Sequence, residues 1–188
     1  MPPEISPLST QPPSIRQPSC ASPPATIRSF APAARPDAVR LIVGSMPGIA
    51  SLEAGQYYAH PRNLFRPLIE DLFAVKNRPL SYCQLLALLA DRKIALWDVL
   101  QSCVRAGSLD SAITCEIPND FAAFFAAHPR ITHIYFNGKK AAQSFQKFVD
   151  PHCVPAAIMQ TVLPSTSPAN ASLSYDHKRK AWAALLTD

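Results

Sequence analysis

From about residue 38 the chain alternates between two rhythms of apolar and polar positions. Short apolar runs with many β-branched residues occur at 40–43, 94–97, 132–136 and 158–163, and these predict buried strands. Between them, apolar residues recur at helical spacing. Leu64, Phe65, Leu68, Ile69, Leu72 and Phe73 form one such stripe, marking a helix near 67–75. Further helices are predicted near 81–91, 120–127, 139–149 and 175–186, the last with Ser174 as its N-cap. Strands that alternate with helices call for right-handed crossovers, and so for a parallel sheet with helices on both faces. The expected fold class is α/β.

The first part of the chain has no such rhythm. Half of the 20 prolines fall within residues 1–36, with three arginines and one glutamate. A segment of that composition buries too little apolar surface to offset its ordering entropy. Residues 1–28 are therefore expected to be a disordered tail and residues 29–188 one domain. A secretory signal does not fit, because Met1 is followed by prolines and Glu4. Organelle targeting by the tail stays open, and the cytoplasm of a bacterial-type cell, at the nucleoid, is the expected location.

Charge and cysteines narrow the classes further. A net charge of +5 is compatible with a polyanionic partner without demanding one. No apolar run approaches the roughly 20 residues of a membrane span; the run at 85–90 reads as a buried helix segment, so no membrane partner is expected. The five cysteines, at 20, 83, 103, 115 and 153, include no C-x2-C pair. They are expected to be reduced, buried thiols, with no metal and no cofactor.

Candidate chemistry lies in three polar loops that follow strand ends: "GSMPGIASLEAGQYYAHPRNLF" (44–65), "FNGKK" (136–140) and "LPSTSPAN" (163–170). In a parallel sheet the carboxyl ends share one edge, so these loops can converge on one cleft. There is no G-x-S-x-G elbow, Walker loop or dinucleotide fingerprint. What the loops share is amide, hydroxyl and aromatic chemistry, suited to a flat polar heterocycle and a positioned water. Asn63 either orients a water or caps the helix after it. Asn137 either reads a base edge or serves the Asn-Gly turn. Tyr57, Tyr58 and Phe65 are candidates for stacking on a base, or core aromatics. Asp98 either binds a donor at the cleft or caps the next helix. The run Ser165-Thr166-Ser167 offers hydroxyls to phosphates, or forms a plain turn.

With these residues in view, "LIVGSMPGIASLEAGQYYAHPRNLF", "IALWDVLQSCVRAGSLDSAI", "IYFNGKKA" and "LPSTSPANASLSY" together resemble the hypoxanthine-DNA glycosylase family of the uracil-DNA glycosylase superfamily, from about Ser29 onward. The resemblance implies a three-layer α/β/α sandwich around a four-stranded parallel sheet, which agrees with the four predicted strands. It implies a monofunctional glycosylase that excises deaminated bases, chiefly hypoxanthine, from DNA, acting as a monomer. The motif Y-Y-x-H-P-x-N places the catalytic asparagine on Asn63, and F-N-G places the base-reading asparagine on Asn137. Gly44, Ser45, Met46, Tyr58 and Phe65 are expected to join Asn137 around the base. The DNA-inserting loop falls on Leu163, Pro164, Ser165, Thr166, Ser167 and Pro168, with Lys139 and Lys140 as phosphate contacts. Lys178, Arg179 and Lys180 are further candidates, or one solvated helix face. Where family members continue H-P-x-N-x-F-W, this chain reads "HPRNLFRP", so Arg66 stands in the tryptophan's place.

Three other readings compete. One is a glycosylase that prefers uracil, the second a non-catalytic nucleic-acid binder, the third a hydrolase of free inosine. The inserting loop argues against the third, and paired Asn63 and Asn137 argue against the second.

Overall fold

The computed structural model describes residues 26–186; the expected tail before Thr26 lies outside them. Four strands, β2 (Arg40–Gly44), β3 (Ile94–Asp98), β6 (His133–Asn137) and β7 (Met159–Leu163), form a parallel sheet of order β3-β2-β6-β7. Side chains alternate across it with the period of two that a strand imposes. Leu41, Val43, Ala95, Trp97, Ile134 and Phe136 enter one core. Ile42, Ile94, Leu96 and Tyr135 enter the other. Both faces are therefore buried over β2, β3 and β6, as a parallel sheet requires. β7, expected to be buried, is an edge strand that exposes Met159 and Val162 and buries only Leu163. Helices α4 (Phe121–Ala127) and α5 (Lys139–Phe148) cover the first face. Helices α2 (Phe65–Leu72), α3 (Tyr82–Asp91) and α6 (Tyr175–Trp182) cover the second. The fold is the α/β/α sandwich that the sequence led us to expect.

Local signals explain the helix ends. Ser81 and Gln84 form a capping box on α3: the Gln84 amide donates to Ser81 Oγ (3.3 Å) and the Ser81 amide to Gln84 Oε1 (2.8 Å). Asp120 Oδ1 accepts from the Ala123 amide at the start of α4 (2.9 Å), and Ser174 caps α6 as predicted.

The structure adds a second sheet that the hydrophobic rhythm does not announce. Strands β1 (Thr26–Arg28), β4 (Leu100–Arg105) and β5 (Ile113–Pro118) run antiparallel in the order β1-β4-β5. The folded part thus includes Thr26–Arg28, three residues that the sequence assigned to the tail. Their backbone ladder to β4 holds them, and Ile27 packs against the first core. β5 is mostly exposed and ends in Pro118, so it lacks the pattern of a buried strand. A short helix, α1 (Ile49–Ala54), interrupts the stretch that reads as a loop.

The cysteines also need correction. Cys103 is buried, but Cys83 and Cys115 are exposed and Cys153 is half-buried, so they do not form a uniformly buried set. Cys83 sits on the outer face of α3 and Cys115 on the open strand β5, where sequence polarity gives no warning. No helix among the described residues is long and apolar enough to cross a membrane.

Because the Ser81 side chain satisfies an otherwise unpaired amide, Ser81→Ala should lower unfolding free energy by about 1 kcal/mol. Urea unfolding measures this; an unchanged midpoint would mean that the box adds nothing.

Candidate active site

The carboxyl ends of the four parallel strands carry Asp98, Gly44, Asn137 and Leu163, and a cavity of about 300 Å³ opens above them. That is the lower end of the range for small-ligand sites. Residues 44–51, Tyr57, Tyr58, His60, Asn63, Asp98, Ser108, Asp110, Asn137 and 165–170 line it. The three loops singled out in the sequence do meet here. They are joined by the tip of the β4–β5 hairpin, which lies in a segment that carries the family resemblance but to which the sequence assigned no site residue.

Asn63 serves two ends at once. Its Oδ1 accepts from the Phe65 amide (2.9 Å) in the first turn of α2, and the residue also lines the cavity. One lone pair of that oxygen remains for a water. Asn137 is held on both sides of its amide by Thr166. Its Nδ2 donates to Thr166 Oγ1 and its Oδ1 accepts from the Thr166 amide, each at 2.9 Å. One N–H and one lone pair are left over. His60 Nδ1 accepts from the Arg62 amide (3.1 Å), which leaves Nε2 as the protonated nitrogen when the ring is neutral.

Some expected contacts are not available. Phe65 is fully buried, stacked beneath Tyr58 at 4.1 Å and edge-on to Trp182, and does not reach the cavity. Leu163 is buried in the core and Thr166 is fully buried against Asn137, so neither projects towards DNA. Both were assigned to the DNA-inserting loop because the family resemblance places that loop on residues 163–168. Lys140 donates to Glu116 Oε2 (2.8 Å), which commits its ammonium to β5 rather than to a phosphate. Lys178 is buried and donates to the Ser165 and Asn170 carbonyls (2.9 and 2.6 Å); burial holds its pKa below the ordinary lysine value. It is a pin for the loop 163–170, not part of a solvated face. Lys139 stays exposed at the start of α5. Gly44, Ser45, Met46, Tyr58, Ser165, Ser167 and Pro168 all line the cavity, whereas Pro164 does not. Pro164 instead presents its carbonyl to Trp182 Nε1 (2.9 Å). Arg66 is half-buried and outside the cavity wall.

Asp98 is the residue that the sequence left least resolved. No helix follows it, so the capping role is excluded: the chain passes through Val99 directly into β4. Its carboxylate is 3% exposed. Oδ2 accepts from Ser29 Oγ (2.7 Å). Burial, assisted by the charge of Asp110, pushes its pKa up to about 7, against the Ser29 hydrogen bond and the Arg105 charge. Asp110, also raised chiefly by burial, accepts from Ser45 Oγ (2.8 Å) and so fastens the hairpin tip to the β2 loop. Arg105 Nη2 donates to the Pro47 carbonyl in the same joint. Tyr58 sits in left-handed backbone conformation (φ 56°), a strained setting for an aromatic residue. Its hydroxyl is buried and makes no hydrogen bond among the described residues. Burial and Asp98 hold that hydroxyl's pKa above the usual phenol value; the Asn137 amide opposes them, but outside hydrogen-bonding geometry. An unpaired buried hydroxyl costs about 1–3 kcal/mol.

The comparisons with known proteins follow the same outline. A model described as the uracil DNA glycosylase superfamily matches residues 32–186. The chain belongs to the uracil DNA glycosylase superfamily. Two curated proteins named hypoxanthine DNA glycosylase are similar to it. The one from Methanosarcina acetivorans is 34% identical over 145 residues, covering 77% of this chain and 88% of its own. The one from Methanosarcina barkeri is 32% identical over 143 residues, covering 76% and 87%. The solution NMR structure of a candidate uracil DNA glycosylase from Methanosarcina acetivorans superposes with a TM-score of 0.72 at 30% identity, covering 87% of this chain and 100% of that one. For this superfamily member the Asn63–Asn137 cavity occupies the ligand-binding edge that the parallel sheet defines. Among the described residues, no three His, Cys, Asp or Glu side chains gather into a metal-binding group.

The raised Asp98 pKa has a consequence for stability. The folded state holds the proton more tightly than the unfolded chain, so this carboxyl weakens folding as pH rises from its ordinary value near 3.8 to about 7. The loss is on the order of 4 kcal/mol. Asp98→Asn cannot ionise, so its stability relative to wild type should climb across that window and level off above it. Parallel urea titrations at several pH values measure the difference, and a flat difference curve would show that Asp98 is ionised normally.

Proposed function

We propose that the protein is a monofunctional DNA glycosylase that hydrolyses the N-glycosidic bond of deaminated bases, hypoxanthine first among them. The observation that carries this reading is the convergence of Asn63 and Asn137 on one cavity, both oriented by hydrogen bonds that leave donor and acceptor capacity free. The two similar proteins named for hypoxanthine support the base.

Cleavage passes through a sugar with cationic character and a base that leaves with negative charge. Asn63 Oδ1, fixed by the Phe65 amide, accepts a hydrogen bond from the attacking water and faces the developing positive charge. The free N–H and lone pair of Asn137 match the carbonyl and ring N–H of hypoxanthine, and the N–H strengthens its bond as the base becomes anionic. No lysine lines the cavity, so the reading includes no Schiff-base step at the sugar. The base must first leave the DNA stack, at a cost of a few kcal/mol that is smallest at a mispair. Ser167, Pro168 and Ala169, on the cavity side of the loop, replace Leu163 as the part that meets the opened duplex. Exposed Arg62 and Lys139 are placed for phosphates. The glycosylase domain in this reading begins at Thr26 rather than Ser29.

Duplexes carrying a single inosine, uracil or xanthine, followed by cleavage of abasic sites, test the reading. Inosine should be released fastest; a faster rate on uracil would refute the substrate while leaving the glycosylase. Asn63→Ala should lower single-turnover excision by orders of magnitude with DNA affinity little changed. Its stability should drop by only the ~1 kcal/mol of a lost helix-end hydrogen bond. Asn137→Ala should slow inosine release roughly 10²-fold. Near-wild-type excision by the Asn63 variant would leave that residue as a helix cap only.

A further inference from the structure

The floor of the cavity holds a polar pair that the chemistry above does not use. β3, β2 and β6 end side by side with Asp98, Gly44 and Asn137. Two strand spacings separate Asp98 from Asn137, about 10 Å. The position between them has no side chain. A Cβ at Gly44 would overlap Asp98 Oδ1 and come within 3.3 Å of the Tyr58 hydroxyl oxygen. Both groups therefore lie over the bare Gly44 backbone. Asp98 Oδ2 is taken by Ser29, and the Tyr58 hydroxyl has no partner among the described residues.

We propose that Asp98 and Tyr58 form a specificity-determining pair that donates hydrogen bonds to a purine ring nitrogen across the floor from Asn137. The inference rests on the glycosylase reading and goes beyond it. Hypoxanthine bound to Asn137 through its carbonyl and ring N–H still carries two bare acceptor nitrogens, N7 and N3, on its flanks. Uracil has no such nitrogen. A hydroxyl and a neutral carboxyl are donors of the right kind, whereas an ionised carboxylate would repel the acceptor. As C1′–N9 breaks, negative charge spreads onto N7 and N3, so donors there strengthen in the transition state.

The protonation state of Asp98 then matters. Burial and the Asp110 charge disfavour its ionised form, and Arg105 and Ser29 favour it. Tyr57 and Tyr58, from the segment before α2, face it as neutral phenols. With a pKa of about 7, the donating form predominates below neutrality.

The test is single-turnover excision by the full chain, at saturating enzyme, on inosine and uracil duplexes between pH 5.5 and 8.5. The wild-type inosine rate should fall as pH rises through about 7. Asp98→Asn, whose amide N–H donates at every pH, should lack that fall. Tyr58→Phe should lower the inosine rate about tenfold or more and change the uracil rate less than threefold; its melting temperature checks that it is folded. Duplexes in which N7 or N3 is replaced by C–H should show which nitrogen is held, because Tyr58→Phe should have no further effect on that analogue. Equal losses on both bases with Tyr58→Phe, or the same pH profile for Asp98→Asn and wild type, would overturn the proposal while wild-type inosine excision leaves the glycosylase reading intact. Failure of the wild type on every base would instead sink the glycosylase reading itself.

Discussion

Thr166 is the residue on which the arrangement of the site depends. It exchanges two hydrogen bonds with the Asn137 side chain, and its carbonyl accepts from the Leu64 amide (3.0 Å). One fully buried residue thus couples the end of β6 to the segment that carries Asn63. Its own loop is held from behind by α6, where Lys178 takes the Ser165 and Asn170 carbonyls and Trp182 takes that of Pro164. Gly138 completes the joint. Its φ of 101° is open to glycine and strained for other residues, and a Cβ there would sit 2.9 Å from Ser165 Cβ. The Asn-Gly pair is therefore more than a turn: the asparagine grips the loop and the glycine lets the loop approach.

The parts of this design that were legible in the sequence are those written in periodicity. Three of the four parallel strands, β2, β3 and β6, are buried on both faces and appear as near-continuous apolar runs; the edge strand β7 reads the same way although only Leu163 of it is buried. The helices α2 to α6 show apolar stripes, and α3, α4 and α6 also show capping residues. Convergence of the loops followed from the rule that parallel strands share a carboxyl edge. The antiparallel sheet was not legible, because β5 exposes most of its side chains and β1 is three residues long. Backbone pairing, which leaves no mark in residue type, holds both, with Ile27 and Ile113 as their contacts to the first core.

Burial at the site was the second thing the sequence could not show. Phe65 and Leu163 stand beside residues that line the cavity, and only the three-dimensional path of the chain turns them into the core; Thr166 reaches the wall but is fully buried against Asn137. Lys178 is the sharpest case. It lies in the basic run "HKRK", which reads as a solvated face, yet its ammonium is inside. The whole side chain is buried and its head donates to two carbonyls.

Buried polar groups gather around this one cavity to an extent the rest of the core does not match. Asp98, the Tyr58 hydroxyl and Lys178 each carry a desolvation cost that shifts their pKa, and Arg105 is buried beside them. A well-packed apolar substitute would commonly be more stable than such a set. What the polar groups supply is position. The Ser45–Asp110 bond and the Arg105–Pro47 bond fasten the hairpin to the β2 loop, so the Gly44 turn cannot relax into the space above the sheet. An apolar joint would fill that space by sliding, since dispersion contacts have little directional preference. Directional bonds hold the wall open. The cost in stability is thus the physical means by which a cavity persists at the end of a close-packed sheet.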